Sequence, residues 1–306
     1  MPRRMFRLVP PLWLILTVLA AGCHIFAQPP PPTGAPASGP SENDVVYGVA
    51  AGEKLLMDIY RCDTPGLHPA LVMIHGGGWR SGDKAGDRGT AVNLSTKAGI
   101  TCFSLNYRLA PKYQFPAQVL DCARAVRWVR AHAKDYAVDP GRIAAWGGSA
   151  GGHLSLMLGV MKPDDYPSPD DPNRALSAKV QYVVDFFGPS DLTGAAQFSP
   201  LAIQIAQGFI GASRTDAPDK WGEASPITHV TKDAAPVLFI HGDKDSLVPL
   251  PQSETMKAAL DKVGVEAELI VVRNGEHGFG GADPQEVGKA YARAVEWLTQ
   301  HLKSQA

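Results

Sequence analysis

Ser149 lies in Gly147-Gly148-Ser149-Ala150-Gly151, a G-x-S-x-G pentapeptide that follows the apolar run Arg142 to Trp146 and leads into a second apolar run at helical spacing. A strand that turns this sharply into a helix holds its central residue in a strained backbone conformation, where side chains two positions away on either side would collide. Gly147 and Gly151 remove those collisions. The turn lifts a hydroxyl to a helix N-terminus, where the dipole and free N–H groups favour the negative charge that builds during acyl transfer. A hydroxyl is a weak nucleophile by itself, so this chemistry also calls for a base and a group to orient it.

Two strand-like runs downstream end in suitable groups. Val237 to His241 continues into Gly242-Asp243-Lys244-Asp245-Ser246, and Leu269 to Val272 into Arg273-Asn274-Gly275-Glu276-His277-Gly278-Phe279. Open α/β sheets place their sites just past strand C-termini. The order serine, acid, histidine fits a nucleophile elbow on an α/β sheet. His277 would take the proton of Ser149, and Asp245 or Asp243 would fix the imidazole tautomer and stabilise the imidazolium; Glu276 is read as a solvated neighbour. Upstream, His75-Gly76-Gly77-Gly78-Trp79 ends the apolar run Ala70 to Ile74. Backbone N–H groups of Gly77 and Gly78, with that of Ala150, would form an oxyanion hole. His75 is read as structural there.

Other polar residues receive plainer readings. His153, one helical turn past Ser149, is expected to be buried and hydrogen-bonded. Arg108 and Asp121 are expected to form a scaffold ion pair. The remaining histidines make no spaced cluster of the kind a zinc site needs, so no metal is expected. No G-x-G-x-x-G stands between a strand and a helix, so the chemistry calls for no nucleotide cofactor.

These groups need a sheet to hold them. Lys54 to Tyr60, Ala70 to His75, Ile100 to Tyr107, Arg142 to Trp146, Val180 to Phe187, Pro236 to His241 and Ala267 to Val272 read as strands, most of them continuously apolar. Strands apolar on both faces belong in a sheet covered on both sides. Helices read over Pro116 to Ala133, Gly151 to Met161, Pro251 to Val263 and Pro284 to Leu302 supply that cover. In the first of them, Val119, Cys122, Val126, Trp128 and Val129 recur at helical steps, which makes Trp128 core. The fold class is therefore α/β, a doubly wound, mainly parallel sheet with helices on both faces.

The 306 residues are 45% hydrophobic, enough to bury a core, and one domain is the better reading of that length. Lys plus Arg number 29 against 30 Asp plus Glu, a net charge of −1 with no basic stripe for nucleic acid. At the N-terminus Arg3, Arg4 and Arg7 precede an apolar run from Leu8 to Ala21, the pattern of an export signal over 1–27. Three readings stay open: a lipobox ending at Cys23, a signal cleaved after Ala27, and an uncleaved anchor. All three export the protein, to a periplasmic, lipid-anchored or secreted location, and membrane contact is expected only through that segment. Residues 28–44, rich in Pro, Gly and Ser, read as a tether, and 45–306 as the catalytic domain. Cys62, Cys102 and Cys122 are an odd set, compatible with one disulfide or none.

Taken together, HGGGW (His75 to Trp79), NYRLAP (Asn106 to Pro111), FPAQ (Phe115 to Gln118), GGSAGGH (Gly147 to His153), DFFGPSDL (Asp185 to Leu192), HGDKDSLVP (His241 to Pro249) and EHGF (Glu276 to Phe279) resemble the α/β-hydrolase superfamily. Within it they are similar to bacterial feruloyl/acetyl esterases and, more distantly, to hormone-sensitive-lipase-like esterases. The resemblance implies an α/β-hydrolase fold, a Ser149, Asp245, His277 triad with Asp245 rather than Asp243 as acid, and no cofactor. It implies hydrolysis of small acyl esters, acetyl or feruloyl groups on carbohydrates such as xylan, through an acyl-enzyme. An amide hydrolase (arylformamidase or peptidase) with the same triad is the rival enzyme, and a non-catalytic binding protein on the same fold the rival of another class. Between Asp191 and Pro226, Phe198, Phe209, Ile210 and Trp221 are expected to form a small lid lining the acyl pocket.

Overall fold

The computed structural model describes residues 39–162, 168–194 and 198–303; the expected export signal and the tether up to residue 38 lie outside them. Eight strands make one sheet: β1 (Glu42–Ala50), β2 (Glu53–Tyr60), β3 (His68–Ile74), β4 (Thr101–Leu105), β5 (Val138–Gly148), β6 (Tyr182–Phe186), β7 (Val237–Gly242) and β8 (Ala267–Val272). Their spatial order is β1-β2-β4-β3-β5-β6-β7-β8. β2 pairs antiparallel with β1 and with β4, and every other pairing is parallel. The sheet is mainly parallel, as its continuous apolar runs require.

The helices are α1 (Arg88–Asn93), α2 (Ala117–Ala131), α3 (Ala150–Val160), α4 (Pro200–Ile210), α5 (Pro218–Glu223), α6 (Pro251–Lys262) and α7 (Pro284–His301). Alternate residues of a strand point to opposite faces. Val72, Ala145, Val183 and Phe239 therefore pack under α2, α3 and α6, while Leu71, Ala144, Val184 and Ile240 pack under α1 and α7. Trp128 is buried and stacks on His132 at 4.0 Å, a core residue as its helical spacing indicates.

One expectation needs correction. β1 starts at Glu42, inside the stretch assigned to the tether up to residue 44. The strand is held there because Asp58 Oδ1 accepts the Asp44 N–H at 3.0 Å and Glu42 pairs with Arg61 at 2.5 Å. The segment read as a small lid is built on α4 and α5. Ser199 caps α4 by accepting the Ala202 N–H at 3.2 Å, Pro200 sits in its first turn, and Gly211 ends it at φ 85°.

Candidate active site

β5 ends at Gly148 and α3 begins at Ala150, so Ser149 is the whole turn, with φ 55° and ψ −121°. A side chain there rarely accepts such angles; they persist because the surroundings over-determine them. A Cβ on Gly147 would meet the backbone of Gly151 and of Ile74, and one on Gly151 would meet the Ile74 and His75 carbonyls. The Ser149 N–H donates to the Phe186 carbonyl at 2.8 Å, which ties the turn to β6.

His277 stands in a single 3₁₀ turn after β8, and Asp245 in the turn after β7. His277 Nε2 lies 2.9 Å from Ser149 Oγ, and its Nδ1 lies 2.7 Å from Asp245 Oδ2. The other carboxyl oxygen of Asp245 accepts the N–H groups of Leu247 at 2.9 Å and Val248 at 2.8 Å. Burial acts to raise the Asp245 pKa, but hydrogen bonds from His241 and His277 outweigh it and hold the carboxyl down at about 2. It is a carboxylate at any ordinary pH, suited to keep the Nδ1 proton of His277 in place. His241 Nε2 is 3.5 Å from Oδ2 and sits between Ser253 Oγ and the Val248 carbonyl, both at 2.7 Å from its ring nitrogens. Asp243 and Glu276 are exposed, and Glu276 accepts from Ser246 Oγ at 3.2 Å. The structure thus brings Ser149, His277 and Asp245 into one hydrogen-bonded chain and leaves the competing carboxylates outside it.

Gly78 and Ala150 border the space in front of Ser149. Gly77, just before Gly78 in the loop, has φ 113°, its carbonyl accepting from the N–H groups of Arg80 at 3.2 Å and Ser81 at 3.1 Å. Among the described residues the N–H groups of Gly77, Gly78 and Ala150 have no acceptor, the condition for serving an oxyanion. His75 is buried, stacked on Tyr107 at 4.3 Å and bonded through Nδ1 to the Gly76 carbonyl at 2.7 Å; burial lowers its pKa to about 4. It shapes the loop and does not reach Ser149.

A narrow apolar cavity adjoins Ser149. Trp79, Leu192, Phe198, Ile205, Trp221 and Val248 are among its walls. Phe198 and Trp221 stand where the lid reading puts them; Phe209 and Ile210 do not, because they are buried one layer behind. Phe209 stacks on Trp79 at 4.3 Å and backs the wall. His153 is fully buried: it accepts from Trp79 Nε1 at 3.2 Å and donates from Nε2 to the Ala224 carbonyl at 2.7 Å. Its ring fixes the Trp79 ring, while its backbone N–H donates to the Ser149 carbonyl at 3.0 Å. The sequence reading missed Trp79 and Val248 as pocket walls, although Trp79 belongs to HGGGW and Val248 to HGDKDSLVP. Arg108 and Asp121 form the expected ion pair at 2.7 Å, and Cys62, Cys102 and Cys122 are buried free thiols.

The sequence pattern of the BD-FAE family matches residues 57–260. A Mycobacterium tuberculosis protein described as probable carboxylic ester hydrolase LipM is 33% identical over 275 residues, covering 86% of this chain and 63% of that relative. The chain thus spans less than two thirds of that relative's length. A truncated carbohydrate esterase from gut microbiota superposes with a TM-score of 0.74 at 28% identity, covering 87% of this chain and all (100%) of the other. An acetyl ester-xyloside bifunctional hydrolase from Caldicellulosiruptor lactoaceticus gives 0.75 at 26% identity, covering 86% and 97%. The sheet, the turn at Ser149 and these likenesses lead to one statement: the chain is an α/β-hydrolase-fold protein and belongs to the BD-FAE family.

Proposed function

We propose that this protein is a serine carboxylic ester hydrolase acting through an acyl-enzyme, with Ser149 as nucleophile, His277 as base and Asp245 as orienting acid. The observation that carries this reading is the continuous chain from Ser149 Oγ to His277 Nε2, 2.9 Å, and from His277 Nδ1 to Asp245 Oδ2, 2.7 Å. As Ser149 Oγ bonds to the acyl carbon, Nε2 takes its proton. The N–H groups of Gly77, Gly78 and Ala150 stabilise the oxyanion of the tetrahedral intermediate. Its collapse breaks the ester C–O bond, and the imidazolium returns the proton to the leaving alcohol. A water, deprotonated by the same imidazole, then releases the acid and restores Ser149.

The substrate proposed is a carbohydrate carrying a small acyl group, acetyl before feruloyl. Support comes from the apolar walls close to Ser149 and from the names of the similar carbohydrate esterase and acetyl ester-xyloside hydrolase. Export to the periplasm or beyond, free or lipid-anchored, belongs to the same proposal and rests on the N-terminal segment alone.

Labelling by a fluorophosphonate probe tests the site: it is expected in the native protein and lost in Ser149→Ala. Parallel rates on p-nitrophenyl acetate, acetylated xylan, methyl ferulate and N-formylkynurenine test the substrate. Labelling that survives Ser149→Ala, or a faster rate on the amide than on every ester, overturns the reading.

A further inference from the structure

Asp185 opens the DFFGPSDL segment, and the reaction proposed above has no use for it. It is fully buried near the end of β6, in register with Gly147 of β5 and Phe239 of β7, on the face covered by α3. Oδ1 accepts the Gly188 N–H at 3.0 Å, and Oδ2 has no hydrogen-bond partner. A Cβ on Gly152 or on Gly188 would run into Oδ1, so the carboxyl fills the gap between the first turn of α3 and the loop after β6. Both sides of that gap belong to the site. The next residue, Phe186, accepts the Ser149 N–H, and Phe187, held at φ 44°, lies 4.9 Å from the His277 ring.

A carboxylate in this place would have one N–H donor and no cation, so the neutral acid is the cheaper form by far. α3 contributes His153, whose ring nitrogens face Trp79 and Ala224; β7 contributes His241, held by Ser253 and Val248. The loop beyond Gly188 contributes Asp191, whose Oδ1 is taken by Thr193, and β5 contributes no ionisable group at this level. Burial pushes the Asp185 pKa up to about 8 against the lowering effect of the Gly188 N–H.

We propose that Asp185 is a positioning residue whose protonated carboxyl braces the Ser149 turn and the wall of the His277 ring, and whose ionisation turns ester hydrolysis down. A negative charge behind the first turn of α3 opposes the oxyanion forming in front of it, and its need for solvation pulls on the Gly188 loop. This rests on the reading of Ser149 as nucleophile.

The experiment compares pH profiles of kcat and of KM on p-nitrophenyl acetate for the wild type and Asp185→Asn, which keeps the acceptor for Gly188 and cannot ionise. In the wild type, kcat is expected to fall about tenfold from about pH 7 to about pH 9, while Asp185→Asn shows no such fall, whatever its rate at lower pH. The same alkaline fall in both proteins, or one constant loss at every pH in the variant, overturns the proposal. A second measurement does not depend on that variant folding: infrared difference spectra of Asp87→Asn, which removes the buried carboxyl pushed up to about 7. Loss of one protonated-carboxyl band across the same pH range is expected, and no loss overturns the proposal. A wild type that hydrolyses no ester at any pH, yet loses the band, sinks the ester-hydrolase reading and not the protonation of Asp185.

Discussion

Asp245 does its work by being an anion in a buried place, and that can be tested without altering the shape of the site. Asp245→Asn keeps the geometry but offers Nδ1 of His277 a donor, which favours the wrong tautomer for accepting the Ser149 proton. kcat is expected to fall about 10⁴-fold with KM nearly unchanged, read by steady-state kinetics on p-nitrophenyl acetate. The same carboxylate predicts an acid limit. Its folded pKa, about 2, lies below the ordinary 3.8, so its contribution to stability is present above 3.8 and is lost as pH falls through 2. The unfolding free energy of the wild type, read from denaturant melts, is expected to drop over that window by on the order of 2 kcal/mol more than that of Asp245→Asn. An equal drop in both would count against the carboxylate as a stabilising group. At this scale the sequence was informative: Ser149, His277 and Asp245 were named from the turn glycines, the strand ends and the resemblance. It could not decide between Asp245 and Asp243 by chemistry alone, since both sit in one turn. Burial separates them, and burial is a property of the folded turn.

At the scale of elements, the pocket depends on two kinds of aromatic residue that sequence did not distinguish. Trp221 lines the cavity, with its indole N–H donating to the Ala212 carbonyl at 3.0 Å, whereas Phe209 stands behind Trp79 and touches no substrate space. Trp221→Ala is expected to shift preference toward longer p-nitrophenyl acyl esters. Phe209→Ala is expected to cost about 3–5 kcal/mol of stability in denaturant melts, with a smaller change in acyl preference. Equal shifts in preference for both would restore Phe209 to the wall. The lid was read from its aromatics, but its helices were not, although Ser199-Pro200 and Gly211 are start and stop signals. β1 was lost for a different reason. ENDVVYGVA carries two register irregularities against β2 and alternates poorly, with only Tyr47 and Ala50 buried. An edge strand with one half-buried face has a weak pattern next to a continuous parallel run.

Across the whole molecule, the start of β1 at Glu42 bears on how much chain the fold needs. Tyr47 is buried and its hydroxyl donates to the Asn106 carbonyl at 2.6 Å, just past β4. Arg124 of α2 donates to the Val49 carbonyl at 3.2 Å, and a Cβ on Gly48 would collide with the Arg124 side chain. β1 is thus fastened to the sheet and to the helix layer above it, while among the described residues the first hydrogen bond from this end is Ser41 Oγ accepting the Arg61 N–H at 3.0 Å. A chain beginning at Ser41 is expected to keep the melting temperature and esterase rate of one beginning at residue 28. A chain beginning at Glu53 loses Tyr47 from the core and leaves β2, with Met57 and Ile59 fully buried in the intact fold, as an unpaired edge. It is expected to lose about 3 kcal/mol or more and to aggregate on heating, measured by calorimetry and light scattering. If the shorter chain melts where the longer one does, β1 is an ornament of the edge and the domain begins at β2. If the chain beginning at Ser41 is already destabilised, the tether contributes contacts of its own and the boundary lies nearer the N-terminus.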